Sequence, residues 1–151
     1  MKPKSVLYLL YGFAVFFFLV FFNYLRAQAA IKDTRTPLLQ VELVSYPETV
    51  PVGGKSTFLW HVESTPDLST SFTTIYWGYE SSPSALTTLD SPEAVGYYGF
   101  SRDYTHGLFS LPGDFDLGIK FTRPGKVFFR AYAKVGEKHL WTEEKYLEVL
   151  K

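Results

Sequence analysis

Three histidines, two spaced aspartates and one aromatic-rich stretch are the residues of this chain whose types and spacing could do chemistry. A metal site needs several ligands converging on one point, yet His61, His106 and His139 form no HxH or HExxH pair. His61 alternates with core-facing residues and is expected at the surface. His139 is expected at a hairpin end, and His106 lies in a less constrained insert. Asp114 and Asp116 flank Phe115, with Asp90 and Asp103 upstream. Oxygen-rich loops of this kind hold Ca2+ on many exported domains. No DxDxDG-type loop accompanies them, and carboxylates at i and i+2 are also what the outer face of an alternating strand presents. Neither a metal nor a cofactor is assigned. Serines and threonines abound, but no GxSxG elbow or SxxK pair occurs. The expectation is a protein that is not an enzyme.

The stretch Gly96 to His106, GYYGFSRDYTH, is better suited to contact than to catalysis. Tyr97, Tyr98, Phe100, Arg102 and Tyr104 are the expected partner-binding residues, because tyrosine, phenylalanine and arginine give large desolvated contact area at interfaces. The competing role for the aromatics is to cover the open end of a β-sandwich. The polar loop before them, Ser81 to Pro92, carries no chemistry that can be assigned.

Where these residues work is set by the N-terminus. Val6 to Phe22 is an unbroken apolar run, and Ser5 to Tyr24 supplies the roughly 20 residues a helix needs to cross a bilayer. Lys2 and Lys4 precede it without an acidic residue, which leaves the N-terminus in the cytoplasm and displays the rest outside. A cleaved secretory signal is the competing reading, with Ala27-Gln28-Ala29 as a small-x-small site. The run exceeds the usual 7–15 residues of a signal's apolar region, and five phenylalanines crowd its end. A prepilin-type leader is disfavoured because Gly12 lies within the apolar run and no Glu follows it. A retained anchor over residues 1–26 is therefore expected, with the bilayer contacted through residues 5–24, followed by a polar tether over 27–37.

Residues 38–151 are long enough for one small domain with its own core. From Pro37 onward, 10 basic against 14 acidic residues give a charge of about −4. No basic patch stands out, so nucleic acid is not an expected partner. The chain has no cysteine, so an exported domain here must be stable through packing alone. Asn23 is the only asparagine and starts no Asn-x-Ser/Thr sequon, which excludes N-glycosylation. Depletion of Asn, Gln, Cys and Met is also a thermophile tendency.

Period-two patterning fills this domain. Leu39, Val41 and Leu43 alternate, as do Phe58, Trp60 and Val62; Ile75, Trp77 and Tyr79; and Phe115, Leu117, Ile119 and Phe121. After the Arg123-Pro124-Gly125 turn, Val127, Phe129, Ala131 and Ala133 share one face while Phe128, Arg130, Tyr132 and Lys134 share the other. Val135 to Lys138 reads as a hairpin turn and His139 to Val149 as one last strand. No stretch after the anchor has a convincing 3.6-residue period. About seven strands with two-sided alternation predict an all-β fold, an antiparallel β-sandwich.

The C-terminal segment PGKVFFRAYAKVGEKHLWTEEKYLEV carries Arg130-Ala131-Tyr132-Ala133 and then Trp141-Thr142-Glu143-Glu144. It resembles the closing strands of immunoglobulin-like and fibronectin type III-like domains of prokaryotic cell-surface proteins. Pro47, Gly53 and the Phe58/Trp60/Val62 strand resemble the first hairpin of such domains. The resemblance covers about 60 residues at the two ends of the domain. Between Glu80 and Pro112 the chain departs from it, with a longer and more aromatic insert. The resemblance implies adhesion, spacing or assembly, and it transfers no catalytic residue. The expected function is a non-catalytic binding or accessory subunit of a membrane or cell-surface protein assembly. An archaellum stator-type subunit shares the architecture of one helix and one sandwich. A carbohydrate- or ligand-binding module is the alternative of a different class, and would need an exposed coplanar pair among Trp77, Trp141 and Tyr98.

Overall fold

The computed structural model describes residues 38–151 together with Val20 and Phe21. The expected anchor at 1–26 and tether at 27–37 lie outside the described residues, apart from Val20 and Phe21, which are helical and exposed. Among the described residues, no helix is long and apolar enough to cross a membrane.

In chain order the first strands are β1 (Gln40–Ser45), β2 (Thr49–Pro51), β3 (Lys55–Glu63), β4 (Leu68–Thr70) and β5 (Phe72–Gly78). A single helical turn, α1 (Pro92–Val95), precedes β6 (Gly99–Phe100) and β7 (Phe109–Leu111). Then follow β8 (Gly113–Lys120), β9 (Gly125–Val135), β10 (Lys138–Trp141) and β11 (Lys145–Leu150).

Alternation builds the framework, because successive side chains of a strand point to opposite faces. Strand β3 buries Ser56, Phe58, Trp60 and Val62, and β8 buries Phe115, Leu117 and Ile119. Their antiparallel register sets Phe58 opposite Leu117 and Trp60 opposite Phe115. On the other side of β3, β1 sets Val41 opposite Val62. The resulting sheet has the order β1-β3-β8.

The second sheet has the order β2-β11-β9-β5-β6, with β10 also paired to β9. From β9, Val127, Phe129, Ala131 and Ala133 enter the space between the sheets. Phe58 of the first sheet meets Phe129 of the second edge to face, with centroids 5.0 Å apart. Trp60 donates from Nε1 to Thr73 Oγ1 at 2.8 Å, and that hydroxyl donates on to Tyr132 O at 2.7 Å. The buried indole N–H and threonine hydroxyl are thereby satisfied, as burial requires. Each large apolar side chain so enclosed contributes on the order of 1.5–3 kcal/mol.

The architecture is a β-sandwich, and it differs from the sequence expectation in three ways. Among the described residues, eleven strand segments replace about seven. The pairing of β2 with β11 is parallel, with Thr49 opposite Glu148, because the chain crosses from the first sheet to the second after β1. The expected last strand, His139 to Val149, is broken between Trp141 and Lys145. At the break Thr142 keeps β9 satisfied: its N–H donates to Ala131 O, and its Oγ1 accepts from Ala131 N, each at 3.0 Å. A side-chain oxygen thus stands where a strand carbonyl would. Of the inward-facing residues named from alternation, Trp77 is only half-buried, at the margin of the core.

Candidate binding face on the outer sheet

Period two also places Phe72 and Tyr76 of β5, Arg130, Tyr132 and Lys134 of β9, and His139 and Trp141 of β10 on the face of the second sheet away from the core. A solvated face would expose them. Instead Arg130 is 3% exposed, Tyr132 2% and Tyr76 7%. The cover is the insert that follows β5, which folds back over this face.

Arg130 holds the cover down. Its Nη2 donates to Ser82 O at 2.7 Å and Ser84 O at 3.0 Å, and its Nη1 donates to Thr142 O at 2.8 Å. Its Nε donates to the Tyr97 hydroxyl at 3.2 Å. That hydroxyl donates to Glu144 Oε1, while Ser81 Oγ and Ser82 N donate to the same carboxylate. Burial by itself would raise the Glu144 carboxyl, but the bonds from Ser81, Tyr97 and Ser82 and the Arg130 charge outweigh it and hold it below its ordinary range. Burial, followed by the bond to Glu144, pushes the Tyr97 phenol up.

A second anchor is Trp141, whose Nε1 donates to Asp90 O at 2.8 Å. Asp90 in turn accepts from Thr87 N and Oγ1 at 2.6 and 2.8 Å, which closes the loop on itself and lowers its carboxyl. Helix α1 then ends at Gly96, whose φ of +83° lies in the left-handed region that glycine adopts without strain.

Beyond α1 the cover stops and aromatic surface emerges. Tyr132 lies 4.5 Å from Trp141 and 5.5 Å from Tyr76 by ring centroids, and its hydroxyl hydrogen-bonds His139 Nδ1 at 2.7 Å. Burial raises the Tyr76 phenol to about 12, with Glu93 adding to the effect. Phe100 rests on Tyr76 at 5.3 Å and Phe72 at 6.1 Å, yet remains 43% exposed.

The five expected contact residues therefore part company. Tyr98 is 79% exposed, and Phe100 and Arg102 are exposed beside it. Tyr97 belongs to the Arg130 network. Tyr104 is half-buried and points inward, its ring 5.3 Å from Phe115, 5.5 Å from Phe109 and 6.0 Å from Trp60. Among the described residues, strand β6, which carries Phe100, pairs only with β5 and lies at the edge of the sheet.

The remaining candidates fall elsewhere. His61 lies on the outer face of the first sheet, bonded through Nδ1 to Asp114 at 2.6 Å, with Nε2 3.4 Å from Glu63. Asp116 and His106 are exposed. Among the described residues, no group of three or more His, Cys, Asp or Glu side chains is arranged to hold a metal ion. Trp77, Trp141 and Tyr98 do not form a coplanar platform: Trp77 packs against Phe121 and Tyr79, and Trp141 against Tyr76 and Tyr132. Sequence pattern does not single out Arg130, Tyr76 and Tyr132, because an outward strand position ordinarily means solvent. The available signal was that β5 and β9 carry large apolar or aromatic groups on both faces, the pattern of a sheet covered on both sides.

No protein-family model matches the chain, and no curated protein is similar to it. A solved structure similar to it is the PKD domain of an M14-like peptidase from Thermoplasmatales archaeon SCGC AB-540-F20. The two are 13% identical with a TM-score of 0.48, over 76% of this chain and 97% of that one.

Proposed function

We propose that the protein is a non-catalytic binding or accessory subunit, held at a membrane by its N-terminal segment, whose sandwich engages a protein partner outside the cytoplasm. The membrane part of this reading rests on the apolar run Val6 to Phe22 behind Lys2 and Lys4. The contact part rests on one observation above the others. Tyr98, Phe100 and Arg102 are each exposed, in and next to β6, which is the edge strand of the second sheet among the described residues. An exposed aromatic pair with an adjacent guanidinium has the composition of an interface hot spot. The contact set narrows to these three, since Tyr97 and Tyr104 brace the scaffold from within. Beneath them the Arg130 network fixes the insert, so the contact groups sit on an ordered base and lose little freedom on binding.

The test is purification of the full chain in mild detergent, identification of the co-purifying protein, and repetition with Tyr98→Ala and Arg102→Ala. A partner that is lost with either variant, while the melting midpoint holds, is the expected result. Co-purification unchanged in both variants would remove the contact assignment. Sequencing of the mature N-terminus tests the anchor: Met1 or Lys2 is expected, whereas a start at Ala30 means a cleaved signal.

A further inference from the structure

Where the cover ends, a cleft of about 260 Å³ opens between α1 and the outer faces of β5, β9 and β10. Its floor is aromatic: Phe72 and Tyr76 lie nearly parallel, 16° apart, and Tyr132 stands edge-on to both at 74° and 85°. Its rim is polar and comes from three elements: Glu93 of α1, Lys134 of β9 and His139 of β10.

Three features narrow what such a cleft accepts. First, charge is balanced, with one carboxylate and one ammonium on the rim, so a cation meets Lys134 and an anion meets Glu93. Second, hydrogen-bonding groups are left open. Among the described residues, Ser56 Oγ is the one fully enclosed side-chain polar atom without a partner. Among the described residues the Tyr76 hydroxyl has no hydrogen-bond partner, and its side chain, 7% exposed, lines the cleft. His139 spends Nδ1 on the Tyr132 hydroxyl, and its Nε2 has no hydrogen-bond partner among the described residues. A purely apolar occupant would strip these groups of water with nothing in return. Third, the volume falls just below the range typical of pockets for drug-sized ligands, about 300–1,000 Å³, which suits a single ring.

We propose that this cleft binds one neutral pyranose residue of a glycan, its C–H face against Phe72 and its hydroxyls on Tyr76, Glu93, Lys134 and His139. A pyranose combines the two properties the site demands, an apolar face and an equatorial belt of donors and acceptors, without net charge. The cleft adjoins the proposed contact surface at Phe100, which packs on its Tyr76 and Phe72, but neither Tyr98 nor Arg102 lines it, so the Tyr98→Ala and Arg102→Ala tests of that reading stand apart from this one.

The experiment is saturation-transfer difference NMR on the full chain in a polyoxyethylene detergent, since maltoside and glucoside headgroups would compete. The probes are the methyl glycosides of glucose, galactose, mannose and N-acetylglucosamine, with tetramethylammonium as a cationic comparison. Saturation of the ring protons of at least one glycoside is expected. Phe72→Ala should weaken binding about two- to tenfold, the loss that follows removal of one aromatic contact. Glu93→Gln, at an exposed position, should also weaken it, and it decides the matter if Phe72→Ala does not fold. Tyr98→Ala should leave the signal intact. No transfer to any glycoside, a signal that survives both cleft variants, or preference for tetramethylammonium overturns the proposal.

Discussion

Arg130 and Glu144 meet through a single phenol: the Tyr97 hydroxyl accepts from Arg130 Nε at 3.2 Å and donates to Glu144 Oε1. Cation and carboxylate thereby share one bridging group from the insert, and both also bond its backbone, at Ser82. Taking a guanidinium out of water costs several kcal/mol, and the cost is offset only because carbonyls of Ser82, Ser84 and Thr142 receive its donors. The insert is thus held by polar bonds that work best when all are made.

Removing the cation should show this. Arg130→Ala is expected to cost on the order of 3–5 kcal/mol, since it leaves three carbonyls and the Tyr97 hydroxyl without their donor and Glu144 without its neighbouring cation. Arg130→Lys should recover little, because an ammonium cannot span the four bonds of the planar fork. Urea unfolding followed by tryptophan fluorescence measures both. Limited proteolysis should find new cleavage between Ser81 and Pro92 in the alanine variant.

Gly99 pairs with Trp77 across β5 and β6, and a methyl group built on Gly99 would lie far inside contact distance of the indole, nearest Trp77 Cε2. Gly99→Ala is expected to destabilise by about 1–3 kcal/mol through overpacking. Combining it with Trp77→Ala should cost less than the sum of the two single changes, a coupling that a double-mutant cycle reads directly. Trp60→Ala, at 0% exposure, should cost about 3–5 kcal/mol, and the half-buried Trp77 less.

On the opposite sheet, the hydrogen bond to Asp114 outweighs the opposing effect of burial and, with Glu63 adding to it, raises the His61 pKa above its ordinary value. A histidine raised in the fold contributes stability that is fully present below its unfolded pKa of about 6.5 and is lost as pH rises through the folded value. NMR titration of the His61 ring should give a midpoint above about 6.5 that drops in Asp114→Asn. An unchanged midpoint in that variant would show that Asp114 is not the cause.

Tyr104 and Tyr98 should behave oppositely, although only five positions separate them. Tyr104 is wedged among Trp60, Phe109 and Phe115, and its carbonyl accepts from Thr73 N at 3.0 Å. Tyr104→Ala is expected to cost on the order of 2–3 kcal/mol. Tyr98→Ala should stay within about 0.5 kcal/mol of the parent, as surface changes do. Thermal or urea midpoints of the two variants decide it.

Alternation alone determined the sandwich and its core. Phe58, Trp60 and Val62, then Leu117 and Ile119, then Val127 and Phe129 had to share a side, because a strand admits no other geometry for every second residue. The charge pattern around Val6 to Phe22 and the absence of cysteine are likewise properties of the chain itself. Only the tertiary structure decided the fate of the outward set. Arg130 and Tyr132 occupy positions that local pattern assigns to water, and they are buried because a segment some forty to fifty residues upstream folds over them. What holds that segment is largely backbone, the carbonyls of Ser82, Ser84 and Asp90, and a carbonyl is the same at every position of every sequence. Tyr97, Tyr98 and Tyr104 differ in the same way. Their spacing marked an aromatic cluster, but which ring points inward depends on where the insert lands, and long-range packing sets that.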